Sequence, residues 1–362
     1  MTPPLRVLLA GGGTAGHTSP LLATADALRR LEPTVEVTAL GTPRGIETRV
    51  VPEAGYPLEL VPPVPMPRSI NRDLFALPGR VRAAKRAAVA VIDRLQPAVV
   101  VGFGGYACVP AYLAARQRKI PLVVHEGNAL PGLANRLGAR FTTHVATSFP
   151  NTPMRHATYV GLPIRRMIST LDRGALRAEA RAELGLDPDR VTLLVTGGSQ
   201  GAQRINAAAL GSAEAFGAAG IQVLHIVGPK NEARPPSSAA PYVVVNYVDR
   251  MDLAYAAADA VLCRSGSNTV TEVSGLGLPG IYVPLPIGNG EQARNAAGVI
   301  EAGGGLLVDD ATLSSAWIEA TLIPLLTDPA RLAAMSNAAT GIIRTDADEV
   351  LARMILEVAG AR

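Results

Sequence analysis

The sequence is poor in cysteine, in aromatic residues and in charge. Two cysteines, Cys108 and Cys263, stand among 362 residues, too few for a disulfide framework, and no Cys/His spacing predicts a zinc site. This composition suits a reducing compartment. Aromatic residues make up 4% and charged residues 18% of the chain, against 48% hydrophobic residues. We therefore expect a core of alanine, valine and leucine, as in parallel sheets buried on both faces.

The sequence also lacks a long unbroken apolar run. The uncharged stretches 98–115 and 273–290 are interrupted by several glycines and by proline, which favours buried strands, turns and helices over a membrane span. Residues 1–7 do not have the layout of a signal peptide. We therefore expect a cytoplasmic protein that is soluble or bound peripherally to the cytoplasmic face of the cell membrane.

What the sequence does contain is an alternation of strand-like apolar runs and helix-like segments, which restarts after a proline-rich break. The predicted strands of the first half are Leu5–Ala10, Val35–Leu40, Ala98–Gly102, Leu122–His125 and Val145–Ala146. Those of the second half are Val191–Thr196, Gln222–Val227, Val243–Asn246, Ala260–Cys263, Gly280–Val283 and Gly305–Val308. Such alternation indicates βαβ units. We predict an α/β fold of two doubly wound, Rossmann-like domains with a cleft between them.

Four predicted strands end in turns of small residues. These turns are Gly11–His17, Gly102–Tyr106, Gly197–Ala202 and Arg264–Thr269, the last entering a helix that carries Glu272. Ligands of parallel sheets collect at the carboxyl ends of the strands. There, glycine lets backbone N–H groups approach phosphate oxygens in front of a helix N-terminus. The four turns together favour a phosphate-bearing ligand.

The first turn, GGGTAGH, satisfies two other fingerprints only in part. Its G-x-G-x-x-G pattern fits a dinucleotide site, but that site requires an acid at the end of the second strand. That strand ends Leu40-Gly41-Thr42, and Glu36 stands at its start. The turn also resembles a P-loop in which His17 replaces the lysine. An NAD enzyme is therefore disfavoured, and so is an NTPase.

His17 is the leading candidate for a catalytic residue, since it follows the glycines in the first turn of a predicted helix. A neutral imidazole can accept a hydroxyl proton near neutral pH. The acid pairs Asp187-x-Asp189 and Asp346-x-Asp348 do not follow a strand, and we interpret both as solvated turn residues. Nothing else in the sequence requires a metal or another cofactor, and nothing indicates nucleic-acid binding.

Taken together, the motifs resemble the MurG family of bacterial cell-wall transferases, which add N-acetylglucosamine to lipid I to form lipid II in peptidoglycan synthesis. The motifs, in chain order, are GGGTAGH (11–17), GFGGY (102–106), HEGN (125–128), VGLPIR (160–165), GGSQGA (197–202), YVDRM (247–251), CRSGSNTVTE (263–272) and Gln292. The resemblance implies a GT-B fold and inverting transfer from UDP-N-acetylglucosamine. It implies an acceptor- and membrane-facing domain at 1–162, a UDP-sugar domain at 163–340, and a C-terminal helix at 341–362 that packs back on the first domain.

The resemblance also implies roles for individual residues. His17 is the candidate base and Glu126 the alternative. The implied donor-binding residues are Thr14, Ala15, Gly16, Asn128, Arg165, Ser199, Val248, Ser267, Asn268, Thr269, Val270, Thr271, Glu272 and Gln292. Gly104, Gly105, Tyr106 and His125 are expected on the acceptor side. The sequence departs from the common family pattern at three places, and the ligand contacts made there are not defined by the resemblance. Ala15 and Gly127 stand where the family commonly has glycine and glutamine, and Ser267-Asn268 is a variable position.

Residues 65–95 are rich in arginine. Seven cations interleave with apolar residues such as Phe75 and Leu77, against two aspartates. Pro78 is expected to open a helix whose early turns carry Arg80 and Arg82, against the macrodipole. We therefore expect this stretch to contact an anionic membrane surface, although a solvated helix face is the alternative. A UDP-N-acetylglucosamine 2-epimerase and a non-catalytic nucleotide-sugar-binding protein are the alternative functions.

Overall fold

The computed structural model describes residues 4–64, 72–198, 201–231, 233–287 and 289–360, without the side chains of 72–76. The chain divides into two compact units. Unit 1 comprises Met1–Arg165 and Thr345–Arg362, and unit 2 comprises Arg166–Arg344. Each unit contains one parallel β-sheet with helices on both faces, which confirms the predicted pair of doubly wound domains.

Unit 1 is built on a seven-stranded sheet in the order β3-β2-β1-β4-β5-β6-β7. Its strands are β1 (Arg6–Ala10), β2 (Glu36–Gly41), β3 (Leu58–Leu60), β4 (Val99–Gly102), β5 (Leu122–Glu126), β6 (His144–Thr147) and β7 (Ala157–Tyr159). Its first helices are α1 (Ala15–Leu31), α2 (Glu47–Glu53), α3 (Arg72–Leu95), α4 (Cys108–Arg118) and α5 (Leu133–Gly138). Val7 and Leu9 pack on one face of the sheet, and Leu8 and Ala10 on the other.

Unit 2 contains a six-stranded parallel sheet in the order β10-β9-β8-β11-β12-β13. The strands are β8 (Thr192–Thr196), β9 (Gln222–Ile226), β10 (Tyr242–Val245), β11 (Ala260–Cys263), β12 (Gly280–Tyr282) and β13 (Gly305–Leu307). The helices are α6 (Arg166–Ser169), α7 (Arg173–Glu183), α8 (Gln203–Gly211), α9 (Ala213–Ala218), α10 (Met251–Ala257), α11 (Ser267–Gly275), α12 (Glu291–Glu301), α13 (Ser315–Trp317), α14 (Ile323–Leu326) and α15 (Pro329–Ala339), with a π-helical turn at Ile318–Leu322.

The last helix, α16 (Ala347–Val358), belongs to unit 1. Its buried Leu351 and Ile355 join the apolar cluster that contains α1 and one face of the sheet. Asp348 is buried and pairs with Arg30 of α1, with 2.5 Å between the carboxylate and guanidinium atoms. The interpretation of Asp348 as a solvated turn residue was therefore wrong, because this carboxylate ties α16 to α1.

Helix α3 begins earlier than the sequence analysis predicts. It starts at Arg72, and Pro78 lies inside it; residues 65–71 of the arginine-rich stretch lie outside the described residues. Arg80 and Arg82 therefore stand beyond its first turns, where the macrodipole has little effect, so the expected conflict with the helix dipole was wrong. Ala84, Ala88 and Val91 on one face of α3 are buried. Within the described ranges, no helix combines the length and the hydropathy of a membrane span.

Candidate active site

Three turns of unit 1, those that follow β1, β4 and β5, lie side by side, because these strands are neighbours in the sheet. β1 pairs with β4, and β4 pairs with β5. A β-carbon on Gly104 would lie 2.9 Å from Nε2 of His17, and one on Gly105 would lie 2.4 Å from the carbonyl oxygen of Gly12. Both glycines have positive φ. The second turn therefore packs directly against the first, and glycine is required for that approach.

His17 is partly buried in the first turn of α1. Its Nδ1 lies 3.0 Å from the carbonyl oxygen of Gly12 and 3.4 Å from Oγ1 of Thr14. A carbonyl oxygen only accepts hydrogen bonds, so Nδ1 is the donor and carries the proton. Nε2 of the neutral ring is then unprotonated and points toward Gly104. A neutral imidazole held in this tautomer can accept a proton only at Nε2.

Glu47 is a residue of this site that the sequence analysis missed. It is 1% exposed and begins α2, far along the chain from the first turn. Its Oε2 accepts a hydrogen bond of 2.7 Å from the Gly13 N–H, and its Oε1 accepts bonds from the N–H and the hydroxyl of Thr42. A β-carbon on Gly12 would lie 2.3 Å from the carboxylate. The glycines therefore leave room for a buried acid beneath the turn.

Glu126 lies at the end of β5 and is also buried. Its Oε1 accepts from the Asn128 N–H at 2.9 Å, and its Oε2 accepts from the Gly132 N–H and from Asn135 at 3.0 Å. Asn135 in turn accepts from the hydroxyl of buried Tyr112. These contacts engage both oxygens and fix the loop that follows β5. The assignment of Glu126 as the alternative base stays a prediction.

His125 does not line an accessible acceptor surface, and this part of the expectation was wrong. The side chain is fully buried, with Nε2 at 3.2 Å from both the carbonyl oxygen of Gly161 and the hydroxyl of Ser148. Burial lowers the pKa of His125 to about 4. The strand alternation directs this side chain into the core beside Phe103, so His125 holds the sheet to the segment around Gly161.

The other predicted residues of unit 1 are accessible to different degrees. Thr14 caps α1 in an extended conformation and is exposed. Tyr106 is 49% exposed at the tip of the second turn. Arg165 is exposed, and Ala15, Gly16 and Asn128 are partly exposed. Thr14, Ala15 and Gly16 lie beside His17, whereas Arg165 is the last residue of this part of unit 1.

In unit 2, β8 and β11 are neighbours, and both end in predicted turns. The first continues into Gly197 and Gly198, while Ser199 lies outside the described residues. The second leads through Ser265 into α11. Glu272 on α11 is partly exposed, and its Oε2 accepts a 2.8 Å hydrogen bond from the hydroxyl of Tyr255 on α10. The carboxylate is therefore oriented by a tyrosine that the sequence analysis did not identify.

Not every predicted residue on α11 presents its side chain at the surface. Ser267, Val270 and Thr271 are buried, and their predicted contacts with the donor stay a prediction. Asn268 and Thr269 are partly exposed. The period of the helix explains the split, because one face must pack on β11 and β12.

Two further predicted residues precede or begin helices of unit 2. Gln292 lies in the first turn of α12, and its Oε1 accepts from the N–H of Leu285 at 3.0 Å. Because the amide oxygen of Gln292 faces the Leu285 N–H, the NH₂ group of the same side chain points away from Leu285. Val248 is partly exposed in the segment between β10 and α10.

A basic cavity of about 600 Å³ lies at the end of the unit 1 strands opposite to these turns. Its cations are Arg116, Lys119, Arg140 and Arg155, and none of its described lining residues is acidic. Leu122 and His144 in its wall begin β5 and β6, so the cavity is at the amino ends of these strands. It is therefore distinct from the three turns around His17.

Two Rossmann-like domains with functional turns at the carboxyl ends of their strands define the GT-B class of glycosyltransferase folds. Residues 7–147 match the family model described as the glycosyltransferase family 28 N-terminal domain, and residues 192–351 match that of the C-terminal domain. The chain belongs to glycosyltransferase family 28.

Full-length relatives support the same assignment. The chain is 66% identical over 358 residues to a protein of Nocardioides sp. (strain ATCC BAA-499 / JS614), covering 98% of each chain. It is 55% identical over 361 residues to a protein of Streptomyces coelicolor, covering 99% of each. Both are named UDP-N-acetylglucosamine--N-acetylmuramyl-(pentapeptide) pyrophosphoryl-undecaprenol N-acetylglucosamine transferase. The crystal structure of Acinetobacter baumannii MurG superposes with a TM-score of 0.75 at 26% identity, over 98% of this chain and 100% of that one. The predicted family resemblance is confirmed.

Proposed function

We propose that this protein transfers N-acetylglucosamine from UDP-N-acetylglucosamine to the 4-hydroxyl of the muramyl sugar of lipid I, forming lipid II with inversion at the anomeric carbon. The relatives named above act on this donor and acceptor according to their names. The observation that carries the proposal is His17, whose Nδ1 is bound to the carbonyl oxygen of Gly12 and whose Nε2 faces the second glycine turn.

Unit 2 supplies the donor site in this proposal. Glu272, oriented by Tyr255, accepts hydrogen bonds from the ribose hydroxyls of UDP. The turn after β8 and the N-terminus of α11 offer backbone N–H groups to the diphosphate. Gln292 has its carbonyl oxygen bound to Leu285, so its NH₂ group donates to hydroxyl oxygens of the sugar. Val248 lies against the uracil.

Unit 1 supplies the base. Nε2 of His17 accepts the proton of the acceptor hydroxyl while that oxygen forms a bond to the anomeric carbon. The bond between the anomeric carbon and the β-phosphate oxygen breaks on the opposite face, and UDP leaves with both bonding electrons. Arg165 and backbone N–H groups stabilise the charge that grows on the leaving phosphate. Thr14, Ala15, Gly16 and Asn128 contact the transferred sugar or its diphosphate.

The decisive assay measures UDP release from UDP-N-acetylglucosamine with and without a soluble lipid I analogue. We expect release only when the acceptor is present. His17→Ala should lower kcat by about 100-fold or more, the scale of general-base catalysis, while UDP binding is unchanged. His144→Ala is the matched control, because His144 is an exposed histidine of the same unit. Release without acceptor, or formation of a 2-epimer, would contradict the transferase.

We further propose that unit 1 binds the anionic cytoplasmic face of the membrane, where the lipid-linked acceptor resides. On α3 the side chains of Arg82 and Arg86 are exposed, while Ala84 and Ala88 face the core. The basic cavity described above adds a second cationic surface to the same unit. Each cation near an anionic bilayer contributes about 1 kcal/mol to binding, so several exposed cations of one such surface support reversible association.

Vesicle flotation tests this location. The protein should float with vesicles that contain anionic lipid and not with neutral vesicles. Arg82→Glu combined with Arg86→Glu should weaken flotation about tenfold or more, since two attractions become repulsions. Arg353→Glu on α16 changes another exposed arginine of unit 1 and should have little effect. Equal flotation of all variants would place the membrane contact elsewhere.

A further inference from the structure

One peptide group joins Glu47 to His17. The carbonyl oxygen of Gly12 accepts a hydrogen bond from Nδ1 of His17 at 3.0 Å, and the N–H of Gly13 donates to Oε2 of Glu47 at 2.7 Å. These two atoms belong to the same planar amide, since the carbonyl of one residue and the N–H of the next share a peptide bond. Carboxylate, peptide and imidazole therefore form one continuous chain of hydrogen bonds.

The chain around Glu47 is shaped for this arrangement. Glu47 is buried, and both of its carboxylate oxygens accept hydrogen bonds, one from Gly13 and the other from Thr42. β-Carbons on Gly12, Gly41 or Gly45 would all lie within 2.5 Å of Glu47 side-chain atoms. Three glycines thus close tightly around one carboxylate. A surface turn that served only to reverse the chain would require neither the buried acid nor this space.

The occupied N–H of Gly13 also limits what the first turn can bind. A phosphate oxygen cannot take this N–H while the carboxylate holds it, and a buried negative charge beneath the turn disfavours a second anion above it. The same charge favours a positive charge nearby. The Gly13 N–H therefore serves the carboxylate, and any donor contact of the first turn is made by its other residues.

We propose that Glu47 is a positioning residue for the base His17 and acts through the Gly12–Gly13 peptide. An N–H that donates to a carboxylate polarises its peptide and makes the carbonyl oxygen a stronger acceptor. That oxygen holds the proton on Nδ1, keeps Nε2 free for the acceptor hydroxyl, and stabilises the imidazolium formed during transfer. The carboxylate of a catalytic triad does this by direct contact, whereas here a peptide group carries the effect. The role of His17 as base rests on the proposed function.

The first test requires no substrate. Nitrogen NMR of ¹⁵N-histidine-labelled protein distinguishes the two neutral tautomers, and His17→Ala assigns the His17 signals among the five histidines. At about pH 8, where imidazole is mostly neutral, wild-type His17 should carry its proton on Nδ1, and the Gly13 amide should show the downfield proton shift of a charge-assisted bond. A wild-type His17 protonated on Nε2 would overturn the proposal without any variant.

The variants Glu47→Gln and Glu47→Asp separate charge from contact. The glutamine variant removes the charge, and the aspartate variant keeps the charge on a shorter side chain that no longer reaches Gly13. Both should lower the Nδ1-protonated fraction of His17 and reduce kcat on the order of 10- to 100-fold, part of the contribution of a general base. KM for the donor and the Kd of UDP should stay within about twofold, since unit 2 is unchanged.

Thr42→Val is the matched control. It removes the hydroxyl that donates to the other oxygen of the same carboxylate, so it lowers stability without breaking the path to His17. We expect a lower Tm, an unchanged His17 tautomer and nearly unchanged kcat. If Thr42→Val and Glu47→Gln reduce kcat equally, or if Glu47→Gln leaves the tautomer unchanged, the proposal is wrong. If only the lipid I reaction fails in wild type while the tautomer behaves as expected, the proposed function is wrong and the positioning role stands.

Discussion

Tyr255 offers a sharp prediction about nucleotide binding. Its hydroxyl donates to Oε2 of Glu272 at 2.8 Å, and Tyr255 is fully buried, so the bond is shielded from water. Hydrogen bonds to a charged group contribute about 1.5–3 kcal/mol. Tyr255→Phe removes the donor and lets the carboxylate rotate. If about 1 kcal/mol of this energy is lost from binding, the Kd of UDP rises about fivefold.

Isothermal titration calorimetry with UDP and with a 2′,3′-dideoxy analogue measures this effect. Tyr255→Phe should weaken UDP but not the analogue, which lacks the hydroxyls that Glu272 is proposed to bind. In a Glu272→Ala background the tyrosine substitution should have no further effect, because the two residues act as one unit. Additive losses, or equal weakening of both ligands, would refute the reasoning.

Tyr282→Phe is the control for that experiment. Tyr282 is a buried tyrosine of the same unit, at the end of β12, and its hydroxyl has no hydrogen-bond partner among the described residues. Removing an unsatisfied buried hydroxyl should leave UDP binding unchanged and should not lower stability. A higher Kd for UDP in this variant would show that buried tyrosine-to-phenylalanine changes in unit 2 disturb the site nonspecifically.

Three further predictions concern stability. Burial lowers the pKa of His125 from 6.5 to about 4. The contribution of the neutral side chain to the free energy of unfolding is therefore complete above pH 6.5 and is lost as pH falls toward 4. This loss of up to about 3 kcal/mol should lower the urea midpoint of the wild-type protein as pH falls. The same pH dependence should be missing in His125→Gln. Asp348→Asn breaks the ion pair between α16 and α1 and should cost about 1–3 kcal/mol, with faster hydrogen exchange in α16; unchanged exchange would contradict this role. Gly102→Ala places a β-carbon 2.0 Å from the hydroxyl of Tyr112 and should cost about 1–3 kcal/mol. The exposed helical control Gly298→Ala, which meets nothing within 4 Å, should be neutral or stabilising in the same urea titration.

The repeated strand–helix pattern was sufficient to predict both sheets, because buried parallel strands are continuous apolar runs. β4, with the sequence VVVG, is fully buried. The strands that the sequence analysis missed, Leu58–Leu60 and Ala157–Tyr159, are short, lie at the two edges of unit 1 and are mostly not buried. Edge strands exchange hydrogen bonds on one side only, so their sequences need not be apolar.

The candidate site could be predicted only where its residues belong to a local motif. His17 follows its glycines directly, and Glu272 lies on the helix after its turn. Glu47 and Tyr255 reach the site from other helices, and only the folded chain brings them to Gly13 and Glu272. The burial of His125 could not be predicted for the same reason. Whether the side chain of a strand residue is buried depends on which helices and loops cover that face of the sheet.

The return of α16 to unit 1 has a consequence for synthesis on the ribosome. All of Arg166–Arg344 is translated before the residues of α16 emerge. Until then, the apolar surface of α1 that Leu351 and Ile355 cover is exposed to water. Domains usually finish folding in the order in which they are made, but here the second unit can complete its core while the first still lacks its last helix. The nascent first unit is therefore open to chaperones, proteases and aggregation for as long as unit 2 is being made.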